Sequence, residues 1–238
     1  MVKIRLDQAM ASRGIVLSRS QAENYIKLDK VRVNSKIVNK PGLLVGATDK
    51  IELLQEEQYV SRAALKLAGA SNKLGLNFRD KTVLDVGSST GGFSDFALKN
   101  GASKVIAIDV GTDQLHPSLR TNPKIELYEK TDIRDLTLSI KPDIILIDVS
   151  FISLRQVLPA IAELSSKSTQ IIAMLKPQFE TGSQDEHKGV IKNDAIRRQI
   201  LKDFEVWTKK YFIIEAKADS EVKGAKGNLE RFYLLKIL

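Results

Sequence analysis

A mostly parallel α/β sheet covered by helices on both faces, with a small α+β domain ahead of it, is the fold this 238-residue sequence predicts. Three observations carry the prediction. From about residue 80 onward, seven short apolar runs alternate with helical patterns, which is how a parallel sheet buried on both faces reads. The last two runs are joined by a connection with no room for a helix, so the sheet should end in an antiparallel hairpin. Residues 1–54, by contrast, hold ten Lys/Arg against five acids, a net +5 within a chain whose formal charge is +8.

The elements follow in order. "RLDQAMASRG" reads as a short amphipathic helix with Leu6, Ala9 and Met10 on one side and Gly14 as its stop. "SRSQAENYIKLDK" is a second helix, which Ser18 or Ser20 can cap and whose stripe is Ala22, Tyr25 and Ile26. "KVRVNSKIV" alternates Val31, Val33 and Ile37 around Asn34-Ser35, a hairpin signal, and a turn at Pro41-Gly42 leads to a closing strand. The polar "QEEQ" marks a linker. The boundaries expected are 1–54 for the small domain, 55–60 for the linker and 61–238 for the larger domain. "SRAALKLAGASNKL" opens the latter as a helix that Ser61 can cap, with Lys66 interrupting its apolar face. The strand candidates are "TVLDVG", "KVIAIDV", "KIELYEK", "DIILIDVS", "QIIAMLK", "YFIIEAK" and "RFYLLKI". Helical patterns between them include "SDFALKNG", "SLRQVLPAIAELSSK" and "DAIRRQILKDFEVWTKK".

Composition narrows the function classes. There is no cysteine, which removes disulfides and thiolate metal sites, and His116 and His187 are too few for a histidine-based one. No metal is expected. No run of about 18 apolar residues exists, and "MVKIRLDQAM" lacks an apolar signal region, so a cytoplasmic protein without membrane spans is expected. The basic first segment points to a polyanionic partner.

"LDVGSSTGGFSDFALKNGASKVIAIDV" outlines a nucleotide-binding turn without the G-x-G-x-x-G spacing of dinucleotide sites. A strand ending in Asp85-Val86-Gly87, an open turn through Ser88 to Gly91-Gly92-Phe93, and an acid at Asp109 closing the next strand resemble the methyl-donor site of class I (Rossmann-like) methyltransferases. That resemblance implies S-adenosylmethionine as cofactor, with Asp85, Gly87, Ser88, Gly91, Gly92 and Phe93 around the turn. The glycines would permit close backbone approach to its methionine moiety. Asp109, 22 residues beyond Gly87, is placed like a ribose-binding acid. Asp132 in "KTDIRD" would reach the adenine amino group. Phe93 also reads as a core residue.

Four further residues name the acceptor. They are Lys66, Asp148 in "ILIDVS", Lys176 in "AMLKPQFE" and Glu230 in "GNLERFYLL": Lys66 on an apolar helix face and Glu230 entering a buried strand are costly choices, and Asp148 and Lys176 end successive strands, where open α/β sheets build active sites. Glu221 is an alternative to Glu230. In this order the four resemble the Lys-Asp-Lys-Glu tetrad of the FtsJ-type RNA 2′-O-ribose methyltransferases. With the basic segment, which resembles the small RNA-binding domain named after ribosomal protein S-four, the layout is similar to that of the TlyA family. The motifs "YVSRAALKL", "DVGSSTGGFSD", "DVSFISL", "KPQFE" and "KGNLE" carry that likeness, although "EEQYVS" stands where actinobacterial members have a tryptophan-containing linker.

The resemblance implies methylation of cytidine ribose hydroxyls in small- or large-subunit ribosomal RNA. Lys176 would be the central residue, with Lys66 beside it and Asp148 and Glu230 directing its amine. Arg5, Arg13, Arg19, Lys27 and Arg32 would meet RNA phosphates. Phe179 reads either as loop packing or as a surface on which a flipped base stacks. The loop from Gly182 to Gly189, with a solvated His187, reads as a lid. Two other classes are weighed: a cytolysin, since family members carry the hemolysin label, and a non-catalytic ribosome-binding factor. The first lacks any membrane-active segment. The second would not bind S-adenosylmethionine.

Overall fold

The computed structural model describes residues 3–16, 18–54, 59–181, 189–224 and 226–238. Most of the expected linker, and the expected lid with Gly182 and His187, lie outside the described residues. The chain divides into two compact units, Met1–Gln58 and Tyr59–Leu238.

In the first unit the order is β1 (Ile4–Arg5), α1 (Leu6–Ser12), α2 (Arg19–Lys27), β2 (Val31–Val33), β3 (Lys36–Val38), β4 (Leu44–Val45) and β5 (Ile51–Leu53). Ser18 rather than Ser20 caps α2, its side chain accepting from the Gln21 amide. Strands β2 and β3 form the expected hairpin, and Asn34 and Ser35 both adopt positive φ, as the tight two-residue turn demands. β5 closes on the other side of β2. The pairing of β1 with β4 was not anticipated, because two-residue strands are too short to show alternation. Leu6, Met10, Ala22, Ile26, Val31 and Val45 form the core between helices and strands.

The second unit runs α3 (Arg62–Leu74), β6 (Thr82–Val86), α4 (Gly92–Lys99), β7 (Lys104–Ile108), α5 (Pro117–Arg120), β8 (Ile125–Tyr128), β9 (Ile144–Ile147), α6 (Leu154–Leu164), β10 (Gln170–Leu175), α7 (Asp194–Thr208), β11 (Phe212–Asp219) and β12 (Arg231–Ile237). All seven expected strands join one sheet in the order β11-β12-β10-β9-β6-β7-β8. β10, β9, β6, β7 and β8 are parallel, while β12 runs antiparallel to both β10 and β11. This is the Rossmann-like arrangement with a terminal hairpin. Both faces are dry: α6 and α7 pack Leu158, Ile161 and Phe204 on one side, and α3 and α4 pack Leu67, Phe93 and Phe96 on the other. Leucine-sized side chains buried this completely contribute about 1.5–3 kcal/mol each, which is why the apolar runs commit to the sheet.

Candidate active site

The register of the sheet gathers the acceptor-side residues on one rim. Asp148 follows β9 and Lys176 follows β10, so both leave the C-terminal ends of neighbouring parallel strands. Leu175 pairs with Arg231. One step further along that antiparallel register sets Lys176 opposite Glu230, at a Cα separation of about 5 Å. Helix α3, anchored through Ala64, Leu67 and Ala70, brings Lys66 to the same rim.

The four side chains meet as two pairs. Lys66 Nζ lies 2.5 Å from Glu230 Oε2, with the side chains only 12% and 3% exposed. Lys176 Nζ lies 2.6 Å from Asp148 Oδ1 and also donates to Ser150 Oγ at 2.8 Å. The expectation of one central amine served by both carboxylates is therefore refined: each amine has its own carboxylate. Charges this buried are tolerable only in such pairs. Glu221 is excluded as the fourth member, since it is exposed and pairs with Lys73.

Beside this rim a cleft of about 450 Å³ opens at the ends of β6, β7 and β9, lined among others by Gly87, Asp109, Asp132, Asp148 and Phe151. The Asp109 carboxylate accepts from the Ser89 and Gly111 amides at 2.8 and 2.7 Å, which fixes both its oxygens. Asp132 is gripped by the Arg134 guanidinium at 2.7 Å, which holds its carboxyl below the usual range. Asp132 thus stands at the cleft as a carboxylate already paired with a cation.

The glycine turn departs from expectation. Gly87 has φ 80°, and a Cβ there would lie 2.8 Å from the Asp148 carbonyl oxygen. A Cβ on Gly91 would run into Leu119 and Leu115, and one on Gly92 into Ser61 and Ala63. Gly91 and Gly92 let the chain close on itself rather than on a ligand, and neither lines the cleft. Phe93 is likewise corrected. Its side chain is 2% exposed and packs against Phe232, so it belongs to the core. Asp85 and Ser88 are also buried behind the cleft wall. Asp85 accepts from Ser94 Oγ at 2.6 Å, and burial, with the Asp148 charge adding to it, pushes its carboxyl up to about 7. Among the described residues, Asp85 Oδ1 and Ser88 Oγ have no hydrogen-bond partner.

Three residues at the mouth escaped the sequence reading or were left undecided by it. Phe151 is 83% exposed with φ 66°, and its ring centroid lies 5.2 Å from that of Phe179. Glu180 is buried beneath them. Only the position of Phe151, three residues after Asp148, signals the first; nothing local signals its backbone.

In the first unit the basic residues do structural work as well. Arg5 and Arg19 both pair with Asp7, whose side chain is fully buried and whose carboxyl the Arg5 guanidinium holds down at about 2. Arg13 donates to the carbonyls of Gly46 and Asp49, tying down the loop before β5. Lys27 pairs with Glu23 one turn away, and Arg32 is exposed on β2. The part of Arg5 and Arg19 that reaches solvent is about half of each side chain.

Comparison with known proteins agrees with this anatomy. The FtsJ-like methyltransferase pattern matches residues 59–237, and the S4 domain pattern matches residues 4–51. The chain is 39% identical to the 23S rRNA (cytidine-2′-O)-methyltransferase TlyA of Campylobacter jejuni, over 93% of this chain and 95% of that protein. It is 35% identical to the 16S/23S rRNA (cytidine-2′-O)-methyltransferase TlyA of Mycobacterium tuberculosis, over 98% of this chain and 90% of that one. A solved structure of a hemolysin-named protein from Streptococcus thermophilus superposes with a TM-score of 0.77 at 32% identity, covering 100% of this chain and 89% of the other. With both of its units matched, this chain belongs to the FtsJ-like methyltransferases, as a relative of TlyA that carries an S4 domain ahead of the methyltransferase fold.

Proposed function

We propose that this chain transfers a methyl group from S-adenosylmethionine to the 2′-hydroxyl of cytidine in ribosomal RNA of the small subunit, the large subunit or both. The observation that carries this reading is the pair of buried ion pairs, Lys66–Glu230 and Lys176–Asp148, on the rim beside the Gly87 cleft. The residues around the cleft fit the cofactor. Its volume suits a nucleoside-sized ligand, Gly87 lines it where β6 and the backbone after β9 approach closely, and Asp109 is pre-oriented with lone pairs left for ribose hydroxyls. The two relatives quoted act, by name, on cytidine riboses of ribosomal RNA.

When bound, S-adenosylmethionine supplies a methyl already activated on a sulfonium. What the chain must add is control of a poor nucleophile. Lys176, held by Asp148 and Ser150, presents its amine at the rim. There it orients the ribose hydroxyl in line and compensates the negative charge growing on its oxygen as the hydroxyl proton passes to water at the mouth of the cleft. Lys66 and Glu230 flank it, and their pairing keeps the second charge fixed rather than free to capture the substrate phosphate. Phe151, exposed and braced by the half-buried Phe179 ring tilted 48° to it, offers an apolar face for the acceptor's base. Arg32 and the solvent-facing parts of Arg5 and Arg19 supply positive charge for folded RNA in the S4 unit. A cytolytic role has less support: among the described residues no helix is long and apolar enough to cross a membrane.

The test is methyl transfer from labelled S-adenosylmethionine to unmethylated ribosomal subunits, followed by mapping of the modified ribose. Lys176→Ala should lower the rate about 100-fold or more while calorimetric binding of S-adenosylmethionine persists. A variant that keeps its rate overturns the reading.

A further inference from the structure

The loop that follows Asp148 is gripped from the β10 side at two points. The first is Lys176, at Asp148 and Ser150. The second is Glu180, four residues later, whose Oε2 accepts from Ser153 Oγ and whose Oε1 accepts from the Leu154 amide, both at 2.7 Å. Between the two grips stands Phe151, in the left-handed backbone region and almost wholly in solvent, with Phe179 leaning on it. A bulky side chain keeps that conformation only where its surroundings over-determine it, and no core burial does so here.

The Glu180 carboxylate is 1% exposed, and burial raises its proton affinity. A carboxylate is an expensive choice for a mere filler at that site. It is compensated by the first amide of α6, where the helix dipole favours negative charge, by the Ser153 hydroxyl, and by Arg155 at 3.9 Å. The same short segment that bears Lys176 and Phe179 therefore locks the residues directly after Phe151.

The geometry points to Glu180 as a positioning residue: its clamp on Ser153 and Leu154 holds Phe151 upright against Phe179, so that the aromatic pair is already formed when the RNA acceptor enters the mouth of the cleft. This rests on the proposed function and deepens it. Glu180 touches no reacting atom. It acts through Phe151, on acceptor recognition rather than on the methyl donor.

The test compares Glu180→Ala, Glu180→Gln and Phe151→Ala in the full chain, with unmethylated ribosomal subunits as acceptor. Glutamine can restore both contacts, its carbonyl accepting from Leu154 and its amide donating to Ser153. Loss of hydrogen bonds to a charged group should raise the KM for subunits about tenfold in Glu180→Ala, while Glu180→Gln stays within about threefold of the parent. The calorimetric affinity for S-adenosylmethionine should be unchanged in both Glu180 variants, which alter no residue lining the cleft. In a Phe151→Ala background the Glu180→Ala effect should shrink below about twofold, because the residue through which it acts is gone. If Glu180→Ala melts below the assay temperature, Ser153→Ala, which breaks one of the two contacts, takes its place. The inference is overturned if KM does not move, if donor affinity falls in step with it, or if the Glu180 and Phe151 losses multiply in full. A parent protein that methylates no subunit overturns the function itself, and the clamp's role with it.

Discussion

Removing Lys66 should destabilise the larger unit before it tells anything about catalysis. Glu230 is 3% exposed, and one of its oxygens lies where a Cβ on Gly224 would be only 2.7 Å away, so neighbouring backbone leaves little room for water. With Lys66→Ala the carboxylate stays buried without its cation, a loss of about 3–5 kcal/mol. At about 2 kcal/mol per molar urea, that moves the unfolding midpoint down by roughly 2 M. The chain's single tryptophan, Trp207, lies in α7 between Phe204 and Tyr211, so its fluorescence reports on this unit alone. The double variant Lys66→Met/Glu230→Gln removes both charges and should recover most of the lost stability, yet transfer no methyl group at the parent rate. A Lys66→Ala midpoint within about 0.5 M of the parent, equivalent to about 1 kcal/mol, would refute the reasoning. It would mean that Glu230 finds water and that the pair is a surface contact.

Three other outcomes follow from the same geometry. Asp7 sits at about 2 when folded against an ordinary 3.8, so its contribution, at most about 2 kcal/mol, is complete above pH 4 and drains away as pH falls from 4 to 2. Asp7→Asn should flatten the acid limb of the first unit's circular-dichroism melting profile. Asp85 has the opposite sign: a carboxyl raised from 3.8 to about 7 costs folding energy as pH climbs through that window, so Asp85→Asn should melt higher than the parent at pH 8 and alike at pH 4. Gly92→Ala would place a Cβ 2.2 Å from Ser61 Oγ and 2.9 Å from the Ala63 Cβ, and should cost about 1–3 kcal/mol in urea by prising α3 from α4.

The sheet was legible because its inner strands β9 and β10 are apolar runs bounded by polar residues, a pattern that burial on both faces enforces, while the edge strands β8 and β11 carry charged residues and alternate. The rim was legible for a related reason: Lys66 and Glu230 break apolar surroundings, and such breaks are expensive. What the sequence could not disclose depends on partners distant in the chain. Gly91 and Gly92 look like ligand-facing glycines, but the neighbours that require them are Leu115, Leu119, Ser61 and Ala63. Arg5 and Arg19 look like free phosphate contacts, yet a single buried aspartate engages both. Phe151 reads as one more apolar residue, because nothing in "FISL" announces a left-handed backbone. The β1–β4 pair and the four-residue α5 are shorter than any period that could reveal them.

Strand β12 lies between β10 and β11, so the sheet is completed by inserting a hairpin rather than by adding strands outward. The pairing of β10 with β12 spans some sixty residues, as does that of β6 with β9 beside the cleft. Glu230 reaches Lys66 only with that insertion. One ion pair of the rim therefore forms only once the hairpin is seated, and damage to β12 would reach Lys66 from the far end of the chain.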